Sequence, residues 1–114
     1  MDIKRINDDV SVAPQIAPGD VAAIKAAGFR AIVCNRPDGE SSDQPDCAAI
    51  EAAAREAGLA FRNVPVVSGM VTEENARDFR AALDDLPAPV LAYCRSGTRS
   101  AILCDLAGVA PSGA

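Results

Sequence analysis

Apolar residues recur along the chain in two different patterns. In the stretches AIVC, residues 31–34, and VLAY, residues 90–93, they form continuous runs, which are typical of short strands buried on both faces of a sheet. Between residues 76 and 86 they return every three or four positions, which is typical of a helix with one apolar face. The chain therefore alternates between strands and helices, and this order predicts an α/β domain.

Turn-forming and capping residues set the expected limits of each element. Asp20 and Thr72 are placed to cap helices, and Gly28 is placed to end one. Pro65 is expected to end or bend a strand, because proline cannot donate to the hydrogen-bond ladder of a sheet. The predicted elements are a hairpin of residues 3–6 and 10–13, helices over 20–28, 46–58, 72–86 and 100–106, and strands over 29–35, 60–66 and 90–93.

Composition indicates one domain with a core of small aliphatic side chains. The 114 residues are 49% hydrophobic but only 4% aromatic, so helices and strands can pack closely through Ala, Val, Leu and Ile. We expect a single domain over residues 1–114. Its predicted fold is α/β, with a central, mostly parallel sheet of about four to five strands flanked by helices.

Net charge and cysteine content exclude several classes of function. At a net charge of -5, the chain lacks the clustered cations that neutralise a nucleic-acid backbone, so no nucleic-acid partner is expected. No run approaches the roughly 20 apolar residues of a membrane span, and residues 1–5 carry no apolar leader, so we expect a cytoplasmic protein without a membrane partner. The four cysteines contain no Cys-x-x-Cys pair and the chain has no histidine, which predicts reduced thiols and no metal site.

The stretch YCRSGTRS, residues 93–100, joins the strand VLAY to the last predicted helix. Ligands of open α/β sheets bind beyond the carboxyl ends of the strands, and the N–H groups of such a loop, together with the start of the next helix, form a cradle for an anion. Gly97 lets the backbone turn tightly, and Cys94 would be held there as a thiolate nucleophile. The candidate anion ligands are the charges of Arg95 and Arg99, the hydroxyl groups of Ser96, Thr98 and Ser100, and the backbone of Gly97.

The same residues also allow a plainer interpretation. A cysteine at the end of a buried strand often serves as a small apolar residue, and arginines in loops are commonly solvated. The combination favours the anion site, because a glycine three positions after Cys94, an arginine five positions after it and a serine six positions after it rarely occur together by chance.

The loop and the segments around it resemble those of known protein families. YCRSGTRSA is similar to the active loop of single-domain rhodaneses, in which the cysteine carries a persulfide. VAAIKAAGFRAIVCNRPDGE resembles the helix, strand and arginine loop of small dual-specificity phosphatases, FRNVPVVSGMVTEENARDF their next strand, loop and helix, and VLAYCRSGTRS their phosphate loop. Over residues 2–106 the chain most resembles the phosphatase-like domain of the beta-lactamase hydrolase-like proteins. That family combines a cysteine-phosphatase-like fold with this loop, sometimes ahead of a metallo-hydrolase domain.

The resemblance implies that Cys94 is the nucleophile and that Arg99 stabilises the transferred group, with no cofactor. The substrate would be a small anion, either a phosphate ester or a sulfane sulfur donor, and a metallo-hydrolase domain or another protein is a candidate partner. Some related phosphatases protect their nucleophile by a disulfide to a second cysteine, a role that would fall to Cys34. Arg36 is a weaker candidate for binding the same anion.

Two features depart from the phosphatase pattern. Tyr93 replaces the usual histidine, and four residues instead of five separate Cys94 from Arg99. The stretch 67–71 also lacks the aspartate that acts as general acid. The nearest acidic candidates are Asp38, Glu73 and Glu74.

Three functions stay open at this point: a cysteine-dependent phosphatase-type hydrolase, a rhodanese-like sulfurtransferase, and a non-catalytic anion-binding module. The first fits the pattern of the whole chain, and the second fits the length of the loop. The intact cysteine with both arginines weakens the third.

Overall fold

Five strands form one sheet in the computed structural model, which describes residues 1–111; the last three residues of the predicted domain, 112–114, lie outside the described part. The strands are β1 (Lys4–Arg5), β2 (Val10–Ala13), β3 (Ala31–Cys34), β4 (Ala60–Asn63) and β5 (Val90–Tyr93). Their order in the sheet is β1-β2-β5-β3-β4, and all neighbours are parallel except β1 and β2. The predicted mostly parallel sheet and its amino-terminal hairpin are therefore confirmed.

The central strand β5 ends level with both of its neighbours. Tyr93 is paired with Ala13 of β2 on one side and with Cys34 of β3 on the other. Asn63, the last residue of β4, is paired with Cys34 in turn. The segments that follow the four parallel strands consequently leave the sheet at one edge, which is where ligands of such sheets bind.

Helices cover both faces of the sheet, as predicted. They are α1 (Val21–Ala26), α2 (Cys47–Glu56), α3 (Glu73–Asp85) and α4 (Thr98–Leu106). Ile24 of α1 and Ile50 of α2 pack in the core on one face, and Phe79 of α3 and Leu103 of α4 pack in the core on the other. Successive strand residues face opposite sides, so the continuous apolar run of β5 supplies both cores. No helix within residues 1–111 is long and apolar enough to cross a membrane.

The helix starts differ in how they are capped. Thr72 caps α3 as predicted: its hydroxyl accepts from the N–H of Asn75 at 3.1 Å, and the side-chain oxygen of Asn75 accepts from the N–H of Thr72 at 3.0 Å. Asp20 occupies the predicted N-cap position of α1, but its carboxylate makes no bond to that helix and instead accepts from the N–H of Ala17 at 2.8 Å. That bond closes a short 3-10 turn, Pro18–Asp20, which the sequence pattern does not predict.

Among the element boundaries that differ from their predicted positions, two lie close to the loop or to Pro65. β4 ends at Asn63 rather than at residue 66, ahead of Pro65, which cannot donate to the ladder. α4 begins at Thr98 rather than at residue 100. The connection between β5 and α4 therefore contains only residues 94–97, and the first turn of the helix already includes Arg99.

Candidate functional site

Backbone contacts with β2 hold the loop after β5 in a tight curl. The N–H of Cys94 donates to the carbonyl oxygen of Ala13 at 3.3 Å, and the N–H of Gln15 donates to the carbonyl oxygen of Arg95 at 3.2 Å. Gly97 has a φ of 89°, in the left-handed region that favours glycine. A Cβ at this position would lie 3.4 Å from the carbonyl carbon of Ala13. The left-handed turn therefore requires glycine, whereas a Cβ would meet β2 only in ordinary van der Waals contact.

The curl brings a backbone donor onto the sulfur of Cys94. The N–H of Gly97 donates to the Cys94 Sγ at 3.1 Å, and α4 starts at the next residue. An N–H group and the positive end of a helix both favour negative charge nearby. Cys94 is only 1% exposed, so a reactant must reach its sulfur through the opening of the loop.

Arg99 is a buried arginine that is held by two neighbouring segments. Its Nη1 and Nη2 donate to the two carboxylate oxygens of Glu40 at 2.9 and 3.1 Å, and its Nη1 also donates to the carbonyl oxygen of Val66 at 2.8 Å. These bonds use three of the five N–H donors of the guanidinium. Within residues 1–111, the Nε–H and the second Nη2–H have no hydrogen-bond acceptor. These two donors form one edge of the planar group, and such an edge matches two oxygens of one tetrahedral anion.

Glu40 binds a second buried arginine as well. The Nε of Arg36 donates to the Glu40 Oε1 at 3.0 Å, and its Nη1 donates to the Gln15 Oε1 at 3.1 Å. The hydrogen bond from Arg99 is the largest of the effects that hold the pKa of Glu40 below its ordinary value; burial opposes it, and the bond from Arg36 adds to it. Two guanidinium groups therefore share one carboxylate beside the loop.

The hydroxyl groups of the predicted site have different surroundings. Ser100 is fully buried and donates to the Asn35 Oδ1 at 2.8 Å, while the Asn35 Nδ2 donates to the carbonyl oxygen of Val64 at 3.0 Å. These bonds tie the start of α4 to the segments that follow β3 and β4. Ser96 and Thr98 are exposed, and their side-chain oxygens lie 3.1 Å apart. A role of these three hydroxyl groups in holding an anion stays a prediction.

A cleft of about 590 Å³ opens beside the loop. One wall includes Arg95, Thr98 and Arg99, and the opposite wall comes from the segment before α3. No carboxylate among residues 1–111 lines this cleft. The cleft thus exposes positively charged and hydroxyl-bearing side chains at the loop, without an acid to protonate a leaving group.

The acidic candidates from the sequence have other partners. Asp38 accepts from the N–H of Cys47 at 2.8 Å and so caps α2. Glu73 lines a different groove together with Arg77, and Glu74 is an exposed residue in the first turn of α3. A role for any of them as general acid stays a prediction that none of these contacts supports.

Cys34 lies in the core on the α1 and α2 side of the sheet, together with Cys47 and Tyr93. Burial raises the pKa of the Cys47 thiol and of the Tyr93 hydroxyl, and the neighbouring Cys34 raises both further. The Cys34 thiol donates to the carbonyl oxygen of Arg36 at 3.4 Å. β3 and β5 are adjacent, as a disulfide between Cys34 and Cys94 requires, but Cys34 is level with Tyr93 and shares its core. None of the described contacts of Cys34 supports that disulfide, which these contacts leave untested.

Glu40 and Asn35 are the site residues that sequence reasoning misses. Both residues follow β3, and their positions in the sequence are the signal that could have indicated them. Asn35 directly follows a buried strand, and Glu40 comes four positions after Arg36. Neither shows its partner in the sequence, because Arg99 lies 59 positions from Glu40 and Ser100 lies 65 positions from Asn35.

Comparison with known proteins identifies the family of this chain. The model of the beta-lactamase hydrolase-like protein, phosphatase-like domain, matches residues 2–110. The chain belongs to this family. A beta-lactamase hydrolase-like protein of Xylella fastidiosa is 38% identical to this phosphatase-like domain over 109 residues, which are 96% of this chain and 25% of that protein. The domain therefore spans about a quarter of the length of the curated relative that it matches.

Solved structures confirm that the phosphatase-like domain has a cysteine-phosphatase-like fold. A candidate phosphatase from Neisseria meningitidis matches it with a TM-score of 0.84 at 36% sequence identity, covering 90% of this chain and 73% of that chain. A candidate phosphatase from Shewanella putrefaciens matches it with a TM-score of 0.82 at 19% identity, covering 94% of this chain and 70% of that chain. The expected family and fold are thus confirmed, whereas the reaction depends on the site.

Proposed function

We propose that this phosphatase-like domain is a cysteine-dependent hydrolase of phosphate monoesters, with Cys94 as its nucleophile. The observation that carries the proposal is a sulfur and a guanidinium edge at one loop. The Gly97 N–H donates to the Cys94 Sγ at 3.1 Å, and Arg99 lines the cleft with two donors that bind no other residue among 1–111. A tetrahedral anion bound by these donors would have its oxygens neutralised, and the thiolate of the same loop would attack its central atom.

The reaction would proceed in two displacements. The Cys94 thiolate attacks the phosphorus atom, a P–S bond forms, and the P–O bond to the ester group breaks. The ester oxygen leaves with the electron pair of that bond and takes a proton from water. A water molecule then attacks the phosphorus, the P–S bond breaks, and inorganic phosphate and the thiolate are released. Arg99 and the N–H groups of the loop neutralise the oxygens of the transferred group in both steps.

No carboxylate among residues 1–111 lines the cleft. We expect this to limit which phosphate esters the domain hydrolyses, because no side chain there can protonate the leaving oxygen. A general acid contributes about 10²- to 10⁴-fold to such reactions. Esters of acidic alcohols such as nitrophenol depend on this help least, because their leaving oxygen is stable as an anion. We therefore expect weak turnover of activated aryl phosphates and much slower turnover of alkyl phosphates.

Sulfur transfer is the second candidate function, and the cleft favours it in one respect: this chemistry needs no acid. The four-residue spacing between Cys94 and Arg99 is also that of the rhodanese-like loop. The Cys94 thiolate would attack the outer sulfur of thiosulfate, a new S–S bond would form as the old one breaks, and sulfite would leave with the electron pair. Cyanide or a thiol would then take the sulfur from the persulfide.

Side-by-side assays distinguish these functions. Wild-type protein, Cys94→Ser and Cys104→Ser are each tested with para-nitrophenyl phosphate and with thiosulfate plus cyanide. Cys104 is the matched control, because it is an equally buried cysteine on α4 outside the loop, and burial raises its pKa to about 11. We expect aryl phosphate turnover that Cys94→Ser abolishes and Cys104→Ser retains, since a serine hydroxyl is not ionised at neutral pH.

The other outcomes are equally informative. Rapid sulfur transfer without any phosphatase signal would replace the first function by the second. Phosphate binding by a protein that shows neither activity would indicate a non-catalytic anion-binding module.

A further inference from the structure

The cleft beside the loop has two chemically different parts. Near the loop it is lined by Ser96, Thr98 and Arg99, and farther away it is lined by Val71 and Ile102. Ile102 follows Arg99 by three positions on α4, so the two side chains lie on the same face of the helix. A molecule whose anionic end binds the loop would therefore extend along apolar side chains.

Exposed apolar side chains are concentrated at this cleft. Of the five large hydrophobic residues that are exposed within residues 1–111, Ile102 lines the cleft, and Val67 and Met70 belong to the segment that forms its opposite wall. Val67 and Met70 are 56% and 66% exposed, and they flank the cleft residues Ser68 and Gly69. Apolar surface around a small polar pocket marks a place where an apolar group binds.

The charge of the cleft suits a single anionic group. Its cations are Arg95 and Arg99, both at the loop end, and Arg99 already shares its charge with Glu40. Within residues 1–111, no lysine and no further arginine line the cleft. A second phosphate or a carboxylate on the body of a substrate would lie against Ile102 and Val71, and an unpaired charge against apolar side chains is costly.

We infer that the substrate of this site is a phosphomonoester with one anionic head and an uncharged, apolar body, and that esters with further charged groups are rejected. The choice of a phosphate head rests on the proposed function. The head occupies the loop, the body lies along Ile102 and Val71, and Ile102 determines the preference between apolar and charged bodies.

Binding of two phosphonates that differ in one charge tests this inference. Benzylphosphonate and para-carboxybenzylphosphonate cannot be hydrolysed, and their binding to the wild-type domain is measured by calorimetry. The wild type should bind benzylphosphonate at least about tenfold more tightly. Ile102→Lys should abolish or reverse this preference, because it removes the apolar contact and supplies a cation for the carboxylate.

Leu106→Lys is the matched control for the added charge. Leu106 is an exposed residue of α4, one turn beyond Ile102, and it lines a different groove. Its lysine variant should keep the wild-type preference. Equal binding of the two phosphonates to the wild type, or the same change in both lysine variants, would overturn the inference.

The readout separates this inference from the proposed function. A preference for benzylphosphonate in a protein that hydrolyses no phosphate ester would refute the hydrolase and retain the binding preference. Hydrolysis that depends on Cys94, without any such preference, would retain the hydrolase and refute the substrate class. Failure of both phosphonates to bind, in a protein that also hydrolyses no phosphate ester, would overturn both.

Discussion

The guanidinium of Arg99 and the carboxylate of Glu40 meet in a pair of parallel hydrogen bonds, at 2.9 and 3.1 Å, although 59 positions separate them in the chain. Glu40 also accepts from Arg36, so one carboxylate orients two buried arginines beside the loop. The pair fixes the plane of the Arg99 guanidinium and leaves the edge with Nε for an anion. A segment that follows β3 thereby fixes an arginine beside the loop that follows β5.

Glu40→Gln should lower kcat/KM for an aryl phosphate by about 10- to 100-fold. The amide keeps the size of the side chain, but it has one acceptor oxygen where the carboxylate has two, and its NH2 group faces a guanidinium. Arg99 then loses its fixed orientation, so the oxygens of the transferred phosphoryl group are stabilised less. Steady-state kinetics with para-nitrophenyl phosphate measure the effect.

The matched control for this prediction is Glu51→Gln. Glu51 pairs with Arg55 on α2 at 2.8 Å, and the side chains of Arg55 and Glu51 are 61% and 39% exposed. Exposed pairs of this kind contribute at most about 1 kcal/mol to stability, and this one lies outside the cleft, so the control should retain wild-type turnover. Unchanged kinetics in Glu40→Gln would show that the carboxylate does not position Arg99.

The same pair predicts how stability depends on pH. The pKa of Glu40 is lowered in the folded protein, above all by the hydrogen bond from Arg99. Its contribution to the free energy of unfolding is therefore fully present above the ordinary pKa of 4.5 and is lost as the pH falls through the lower pKa of the folded state. Urea unfolding of the wild type and of Glu40→Gln at a series of pH values should give a difference that is constant near neutrality and shrinks below pH 4.5. A difference that persists unchanged into strong acid would contradict this assignment.

Arg99→Lys should cost far more activity than its preserved charge suggests. A lysine ammonium cannot make two parallel bonds to Glu40, bind the carbonyl oxygen of Val66, and still offer a planar pair of donors to an anion. We expect kcat/KM to fall by about 100-fold or more and inorganic phosphate to become a weaker competitive inhibitor. Arg80→Lys is the control, because Arg80 pairs with Asp84 on the exposed side of α3. Wild-type kinetics and phosphate inhibition in Arg99→Lys would mean that its guanidinium does not hold the anion.

The sheet and the position of the loop can be predicted from the sequence because both depend on local signals. An apolar run that ends at Tyr93, a glycine at position 97 and helical spacing beyond it indicate a strand, a turn and a helix without any knowledge of distant contacts. The parallel direction of the later strands follows from the alternation of strands and helices, whereas the adjacency of β3 and β5 does not. These features are confirmed by the register of Tyr93 with Cys34.

Long-range polar pairs are the part that the sequence does not reveal. A glutamate in a polar loop gives the same pattern whether it faces water or a buried arginine, and only the fold brings Glu40 to Arg99. Ser100 likewise follows the pattern of a loop hydroxyl, yet it is buried against Asn35. Asp20 shows the same difficulty on a local scale, because two successive turns compete for its carboxylate and the earlier one binds it.

Gly97→Ala should abolish most of the activity. Alanine is disfavoured at a φ of 89° by about 1–2 kcal/mol, and its Cβ would lie 3.4 Å from the carbonyl carbon of Ala13. That Cβ fits in ordinary van der Waals contact, so the effect comes from the backbone: relief of the strain would change the path of the loop and displace the N–H that donates to Cys94. Turnover of para-nitrophenyl phosphate and urea unfolding should both be measured on the same preparation.

Gly28→Ala is the control that separates the effect of backbone strain on stability from the effect of the loop on activity. Gly28 has a φ of 102°, and an added Cβ would meet no atom within 4 Å. This variant should lose stability for the same backbone reason while retaining turnover. If both alanine variants keep wild-type turnover, the curl of the loop is not needed for catalysis.

Peroxide should oxidise Cys94 without forming a disulfide to Cys34. The Cys94 sulfur accepts an N–H bond at the start of α4, whereas Cys34 packs with Cys47 and Tyr93 on one side of the sheet. A disulfide needs the two Cβ atoms within about 3.5–4.5 Å. After mild hydrogen peroxide, unfolding and alkylation, peptide mass mapping should show sulfinic or sulfonic acid at Cys94 and an alkylated Cys34. The Cys34→Ala variant should be inactivated at the wild-type rate, and a linked peptide of Cys34 and Cys94 in the wild type would establish the protective pairing instead.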